Sequence, residues 1–484
     1  MNLDRSAKIA VIGGGIAGTT IMLRLAELGI DVTLIEQNES LVSGPPICHL
    51  HAGGSFYREI SDQQCLTLLK QSIDMLRVFP QCVNVRPTLI AVPKVDPGSP
   101  QAILPRLEKL KAQYSELIKA QPDKKLLGEA ENYFQLFSRE EVERLAKQPL
   151  PKQAKSAKDW VIPVAKQLDL EKLQFPLILV QEYGLSGFRF SAVAKLASEE
   201  FDNCQVKTHN KVIGITNTAG DNEAGYWQVE VENRQTQKRD ILSFDYLINA
   251  CGFRSGQLDD MLQAPRERLV EFKAAYVARW LECKGQWPEV VFHGQRGTAS
   301  GMAQLTPYPD GYFQLHGMTP EITLFDDGLV SSTESSAQPK LPPLYLRKIE
   351  QGWPDQSVLQ RSQSSIAHLS QYIPAFNRAF VAAQPMFGAQ QIPGNNPNLR
   401  TSDVSFEGDY YARTEIIKAS SALTAADLIL QKLEQLGLCH DLKREHINQH
   451  YFPVTRNIKL QNVVKLAKKI AQARAYPTAL ARAI

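Results

Sequence analysis

The sequence predicts an α/β protein of two units, one doubly wound around a central parallel sheet, the other discontinuous, with a mostly antiparallel sheet under covering helices. Three observations carry this. Residues 8–36 run apolar stretch, glycine turn, helix, apolar stretch and acid, which is a βαβ pattern. Runs at 272–281, 289–293 and 311–317 follow one another with no helical spacing between them, which suggests antiparallel pairing. A short strand pattern at 404–407 then precedes an apolar, small-residue helix over 414–433, returning the chain to the first unit.

The βαβ stretch is the most specific. Lys8-Ile9-Ala10-Val11-Ile12 reads as a strand and Gly13-Gly14-Gly15-Ile16-Ala17-Gly18 is G-x-G-x-x-G. Ala17 to Leu28 is a helix closed by Gly29, and the strand 31–35 ends on Glu36-Gln37. Gly13 allows the tight turn, Gly15 lets a pyrophosphate approach backbone N–H groups at the helix start, and Gly18 lets helix and strand pack closely. Glu36 then accepts hydrogen bonds from a ribose diol. This context makes residues 13–18, Glu36 and Gln37 the candidate dinucleotide contacts.

Composition narrows the class. A chain of 484 residues with 43% hydrophobic content can bury two or three domain cores, and a net charge of +3 is too small for a nucleic-acid surface. Apolar runs such as 175–180 are far too short to span a bilayer, and Arg24 and Glu27 break up the only stretch that resembles a leader. The 7 cysteines are scattered without a C-x-x-C pair, which fits free thiols in a reducing cytoplasm. Cys439-His440 with His446 and His450 contains a histidine pair at helical spacing but no third ligand, so no metal is expected and a solvated helix is the simpler account.

Further along, 40–54 is a Gly/Pro-rich loop with two histidines, and 61–78 is helical. Residues 86–92 look like a strand leaving for a second layer, and 101–159 is a charge-laced helical insertion that covers one side of that layer. The chain is expected back in the nucleotide unit near Phe175, with strands at 177–180, 205–208, 212–215 and 227–231. The apolar strand Tyr246 to Asn249 ends on the small residues Ala250-Cys251-Gly252, letting backbone sit close to the first turn. Asp326 to Pro343 reads as a mobile linker. Boundaries are therefore expected at 1–90, 175–262 and 380–435 for the nucleotide unit, 91–174 and 263–379 for the second, and 436–484 for a helical extension.

Taken together, Ile9 to Glu36, the 48–54 loop, Leu247 to Gly252 and Phe406 to Leu430 resemble FAD-dependent oxidoreductases of the glutathione-reductase-like superfamily, in their D-amino-acid-oxidase-like branch. The resemblance implies a Rossmann-like FAD-binding domain and a substrate domain. It further implies Gly13, Gly15 and Gly18 at the pyrophosphate, Glu36 at the ribose, the Val212 backbone at the adenine, Ala250 and Gly252 beside the phosphates, and Gly408-Asp409 at the ribityl and flavin end. The Gly-Asp pair is also similar to flavin monooxygenases, and the Leu50-His51-Ala52-Gly53 string is similar to a segment that attaches FAD through histidine, which puts His51 near the flavin.

Such an enzyme oxidises a small amine, amino acid or 2-hydroxyacid by hydride transfer to flavin N5, with oxygen or quinone as acceptor. The alternatives are an NAD(P)H-dependent monooxygenase or halogenase, and a non-catalytic flavoprotein or maturation partner. Alternation on 312–316 puts Tyr312, Gln314 and His316 on one face, so His316 is a candidate base with Tyr308 and Tyr312 lining the pocket, against the plainer account of a hydrogen-bonded sheet histidine. Arg413 and Lys418 flank the late helix and offer positive charge to flavin or substrate. The tail from 457 carries an apolar stripe beneath a lysine-rich face, which either packs on the protein or rests on a membrane surface.

Overall fold

The computed structural model describes residues 6–44, 53–55, 60–218, 227–439, 442 and 450–483. Ile9–Ile12 lies between Val32–Ile35 and Tyr246–Asn249, all parallel. The sheet continues to Cys204–Lys207 on one side and to Tyr411–Thr414 on the other, where Val404–Glu407 forms an antiparallel edge. Period two explains why these short strands are apolar at every position. Ile9 and Val11 pack with helices Ile16–Glu27, Gly187–Ser198 and Ala422–Gln435, whereas Ala10 and Ile12 pack with Val229 and Val231 of a three-stranded sheet covering the opposite face.

The second sheet has ten strands, mostly antiparallel, centred on Arg268–Arg279. Alternation divides it into two faces. Phe272, Ala274, Tyr276, Ala278 and Trp280 join Val290, Phe292, Leu305, Phe313 and Leu315 in an apolar core under helices Arg139–Ala146, Ala157–Ala165, Pro343–Gln351 and Asp355–Ser370. The opposite set, Glu271, Lys273, Gln304, Gln314 and His316, faces the parallel-sheet unit. A sheet covered by helices on one face and by the nucleotide unit on the other leaves this inner face as the place for chemistry.

Several expectations are corrected. Leu173–Val180 pairs with Thr88–Pro93 and Phe134–Phe137 in the second sheet, so the chain does not rejoin the parallel sheet at 175; a strand apolar on both faces fits either sheet. Met386–Pro393 likewise pairs along Arg268–Arg279 in that sheet. Helix Leu104–Ala120 packs on Asp62–Val78 of the first unit through Leu107, Leu110 and Tyr114, whereas 139–165 covers the second sheet. The 326–343 segment is no loose linker: Leu329–Ser331 pairs with Leu269, Val270 and Glu271, and Ala337 is buried with its N–H donating to Asp260.

The C-terminal stripe is covered by the protein itself. Helix Leu460–Ala473 buries Val463, Ala467 and Ala471 against Gly187–Ser198. Among the described residues no helix is long and apolar enough to cross a membrane. His450 is no solvated helix residue either: its Nε2 lies 2.6 Å from Asp427 Oδ2, while His440 and His446 fall outside the described residues.

Candidate functional site

The glycine turn is fixed by backbone contacts. Gly13 N–H donates to the Ile35 carbonyl at 2.8 Å, and the Ala250 N–H donates to the Ile12 carbonyl at 2.7 Å, so all three strand ends are held together. Gly13 has φ +102°, and a Cβ there would lie 2.5 Å from the Ala250 carbonyl oxygen. At Gly15 the same construction meets nothing within 4 Å, because that side opens into a cavity. No side chain caps the helix that begins after Gly15, leaving its first N–H groups directed at this space. Glu36 closes the far side: its carboxylate accepts from the N–H groups of Gly14 and Asn38, both at 2.7 Å.

The cavity has a volume of about 1870 Å³. Single-ligand pockets reach roughly 1,000 Å³, so an extended dinucleotide and a second small molecule fit together. Gly13, Gly15, Ile16, Ala17, Glu36, Gln37, Val212, Ala250 and Gly252 line its first half; Gly14 and Gly18 lie just behind the wall. These features match what an FAD needs: a missing Cβ where a phosphate approaches, uncapped helix N–H groups and a carboxylate at the strand end.

The second half is the inner face of the antiparallel sheet. His316 stands opposite Gln304 in register, and both line the cavity with Lys273, Gln390, Arg400 and the apolar Val291, Met302, Met318, Trp353 and Phe387. Lys273 Nζ lies 2.6 Å from Glu271 Oε2 and donates to Gln390 Oε1 at 3.2 Å. Gln390 and Gln391 in turn donate to the carbonyls of Ile417 and Thr414, at 2.6 and 2.8 Å. Thr414 ends the parallel strand Tyr411–Thr414 and Ile417 lies three residues beyond it, so these hydrogen bonds join the two sheets at the carboxyl edge where Gly13 also lies. Burial pushes the Lys273 ammonium down to about 8; the Glu271 carboxylate opposes the fall, and the cations Arg296 and Arg400 add to it.

Lys273, Gln390 and Arg400 were not singled out in the sequence. A signal existed for the first. In 268–279, alternation puts Lys273 on the face opposite the aromatic core, and a lysine there has no reason to be in mid-strand unless that face meets something polar.

Some expected residues are placed elsewhere. Gly408 and Asp409 form the turn of a hairpin in which Glu407 pairs with Tyr411, so they sit at the amino edge of the parallel sheet. A strand of four residues separates them from the Gly13 edge by about 13 Å. Asp409 is exposed and pairs with Lys432 at 2.8 Å. The residues that occupy the expected position are Thr414 and 416–419, with Lys418 among them. Arg413 is not available to flavin or substrate: its Nε is 2.6 Å from Asp259 Oδ1 in a buried cluster with Arg268 and Tyr411, as a guanidinium inside a sheet must be. Tyr308 and Tyr312 lie outside the cavity, stacked by Arg86 and Arg279. His51 lies outside the described residues.

Behind cavity-lining Ser55 lies a buried carboxyl, Glu182, which accepts hydrogen bonds from Gly54 and Ser55. Burial pushes it up to about 7; those hydrogen bonds oppose the rise and the neighbouring Glu289 adds to it. Between the ordinary carboxyl range and pH 7 the folded chain therefore holds a proton that the unfolded chain has lost. Stability should fall with rising pH there, by at most about 1.4 kcal/mol per unit. Urea unfolding at pH 5 and pH 7 is expected to show this slope in the wild type and a shallower one in Glu182→Gln; equal slopes would assign it to another group.

Comparison with known proteins adds a likeness in the first third of the chain and in the fold. Residues 8–174 match the family model described as FAD dependent oxidoreductase. Similar solved structures include the glycerol-3-phosphate dehydrogenase from Bacillus halodurans complexed with FAD, at 13% identity and TM-score 0.55, covering 99% of this chain and 82% of that one. The L-alpha-glycerophosphate oxidase from Mycoplasma pneumoniae with FAD bound has 16% identity and TM-score 0.54, covering 92% and 98%. Glycine oxidase from Geobacillus kaustophilus has 11% identity and TM-score 0.53, covering 89% and 95%. At these identities the likeness is one of fold. No curated protein matches the sequence.

Proposed function

We propose that this chain is a D-amino-acid-oxidase-like FAD-dependent oxidoreductase that oxidises the C–N or C–O bond of a small amino acid or 2-hydroxyacid. One observation carries the reading. The cavity lined by Gly13, Gly15 and Glu36 is continuous with the polar inner face that presents Lys273, Gln390, His316 and Gln304. Bound FAD supplies the electron sink, accepting a hydride at flavin N5.

The chain's own residues then divide the remaining work. Lys273 and Arg296 share the single carboxylate of Glu271, so this group carries one net positive charge at the cavity wall. A net positive charge beside a buried floor favours a substrate with an anionic head, which is why an acid is preferred to a simple amine. His316 faces the same space and takes the proton from the amine or hydroxyl group. Gln304, held by Glu289 at 2.5 Å, orients the substrate's polar end. Met302, Met318, Trp353 and Phe387 exclude water around the C–H bond. Oxygen or quinone serves as acceptor.

The monooxygenase alternative loses its main support, since the Gly408-Asp409 pair that favoured it lies at the other sheet edge. Anaerobic titration of the visible spectrum is the test. Bleaching of bound flavin by one member of a panel of amino acids and 2-hydroxyacids, with no response to NADPH, is expected; bleaching by glycerol 3-phosphate alone would overturn the proposed substrate class. Reduction by NADPH alone would overturn the proposal in favour of a monooxygenase, and no reduction by any compound in favour of a non-catalytic flavoprotein.

A further inference from the structure

The C-terminal segment does more than cover an apolar face. Helix Leu460–Ala473 ends at Arg474, whose side chain reaches the loop that follows strand Val32–Ile35. Its Nη1 donates to the Val42 carbonyl at 2.8 Å, and its Nη2 donates to Ser40 Oγ at 2.9 Å, the Leu41 carbonyl at 3.1 Å and Ser191 Oγ at 3.4 Å. The guanidinium lies 5.9 Å from the Phe188 ring. Val42, at φ 51°, passes the restraint on: its N–H donates to the Gly14 carbonyl at 2.7 Å. Two residues later, Tyr476 Oη donates to the Pro385 carbonyl at 2.7 Å, on the chain entering strand Met386–Pro393. Arg474, Tyr476, Ser40, Val42 and Ser43 all line the cavity.

We propose that Arg474 is a positioning residue for FAD, holding the 40–43 loop as a finished wall of the nucleotide half of the cavity. The physical reason lies in the carbonyls. The Leu41 oxygen is also held by the Ser191 hydroxyl, which donates to it at 2.6 Å. The guanidinium therefore matters most at Val42, whose oxygen, turned toward the dinucleotide, would set its negative end against the phosphates. A guanidinium fork binds both at once and keeps them directed away, and it fixes the wall before the nucleotide arrives. A lysine, with a single ammonium, holds fewer of the four acceptors.

The test compares Arg474→Met, which keeps the apolar stem over Phe188, with Arg474→Lys and with Lys469→Ala on the exposed face of the same helix. FAD affinity is read by flavin fluorescence at fixed ionic strength, and amide hydrogen exchange of residues 39–43 is read without FAD. Arg474→Met is expected to weaken FAD binding about tenfold, the factor that one lost charge-assisted hydrogen bond carries. It should also speed exchange in the loop, with Arg474→Lys intermediate and Lys469→Ala within twofold of wild type. A folded Arg474→Met that binds FAD within twofold of wild type overturns the proposal. Should that variant fail to fold, a folded Arg474→Lys within twofold does the same. Unchanged loop exchange overturns it independently of FAD, whereas a wild type that binds no FAD would overturn the cofactor assignment instead.

Discussion

Replacing Gly18 with alanine is expected to yield protein that carries no FAD and unfolds about 3 kcal/mol more easily than wild type. A Cβ at this position would sit 1.9 Å from the Gly13 carbonyl oxygen and 3.2 Å from the Ala250 Cβ. The first contact is with backbone, which cannot rotate away as a flexible side chain would. Gly13 cannot yield either, since its left-handed φ and its approach to the Ala250 carbonyl hold it in place. The helix start must therefore shift, opening the cradle and the packing beneath it. Gly15→Ala makes the opposite prediction. With nothing within 4 Å of its new methyl group, the FAD-free protein should melt near the wild-type temperature and yet bind FAD more weakly. Thermal melts with and without FAD, alongside visible absorbance after desalting, separate the two; Gly18→Ala protein with full flavin absorbance would refute the packing argument.

The parts of this molecule that were legible in its sequence are those whose physics is local. The 8–36 unit declares itself because a strand, a turn needing glycine at fixed offsets and a helix must follow in one order. The aromatic alternation from Phe272 to Trp280 and the shared face of Gln314 and His316 were legible for a similar reason, since period two is a property of a single strand. What was misread depends on partners distant in sequence. Arg413 looks available until its partner Asp259 appears, 154 residues earlier. Gly408-Asp409 resembles a cofactor corner, and only the pairing of Val404–Glu407 with Tyr411–Thr414 reveals a hairpin facing the wrong edge. Leu173–Val180 is buried enough on both faces to suit either sheet, so composition could not assign it.

Lys273→Met is expected to lower kcat/KM toward an acid substrate about 100-fold while leaving FAD affinity near wild type. The variant should fold, because Glu271 keeps Arg296 as a partner and no buried carboxylate is orphaned. The loss should appear mainly in KM, since a cation that holds the substrate's anionic head does so before and during hydride transfer alike. His316→Gln should instead slow flavin reduction with KM little changed, because it acts on the proton. The pH dependence follows from the lysine's lowered value of about 8. Below it the ammonium is charged and holds the anion; above it the amine is neutral, so wild-type KM should climb from pH 8 upward and Lys273→Met should show no such climb. The sign for stability is the reverse. Between about 8 and the ordinary lysine value the unfolded chain holds the proton that the folded chain has released, so the cost of burying the charge is relieved and stability rises with pH. Activity falling while stability rises across one pH window is a combination that general alkaline unfolding cannot produce. A KM that stays level from pH 7 to 9.5, or a Lys273→Met enzyme within threefold of wild type, would remove Lys273 from the substrate site.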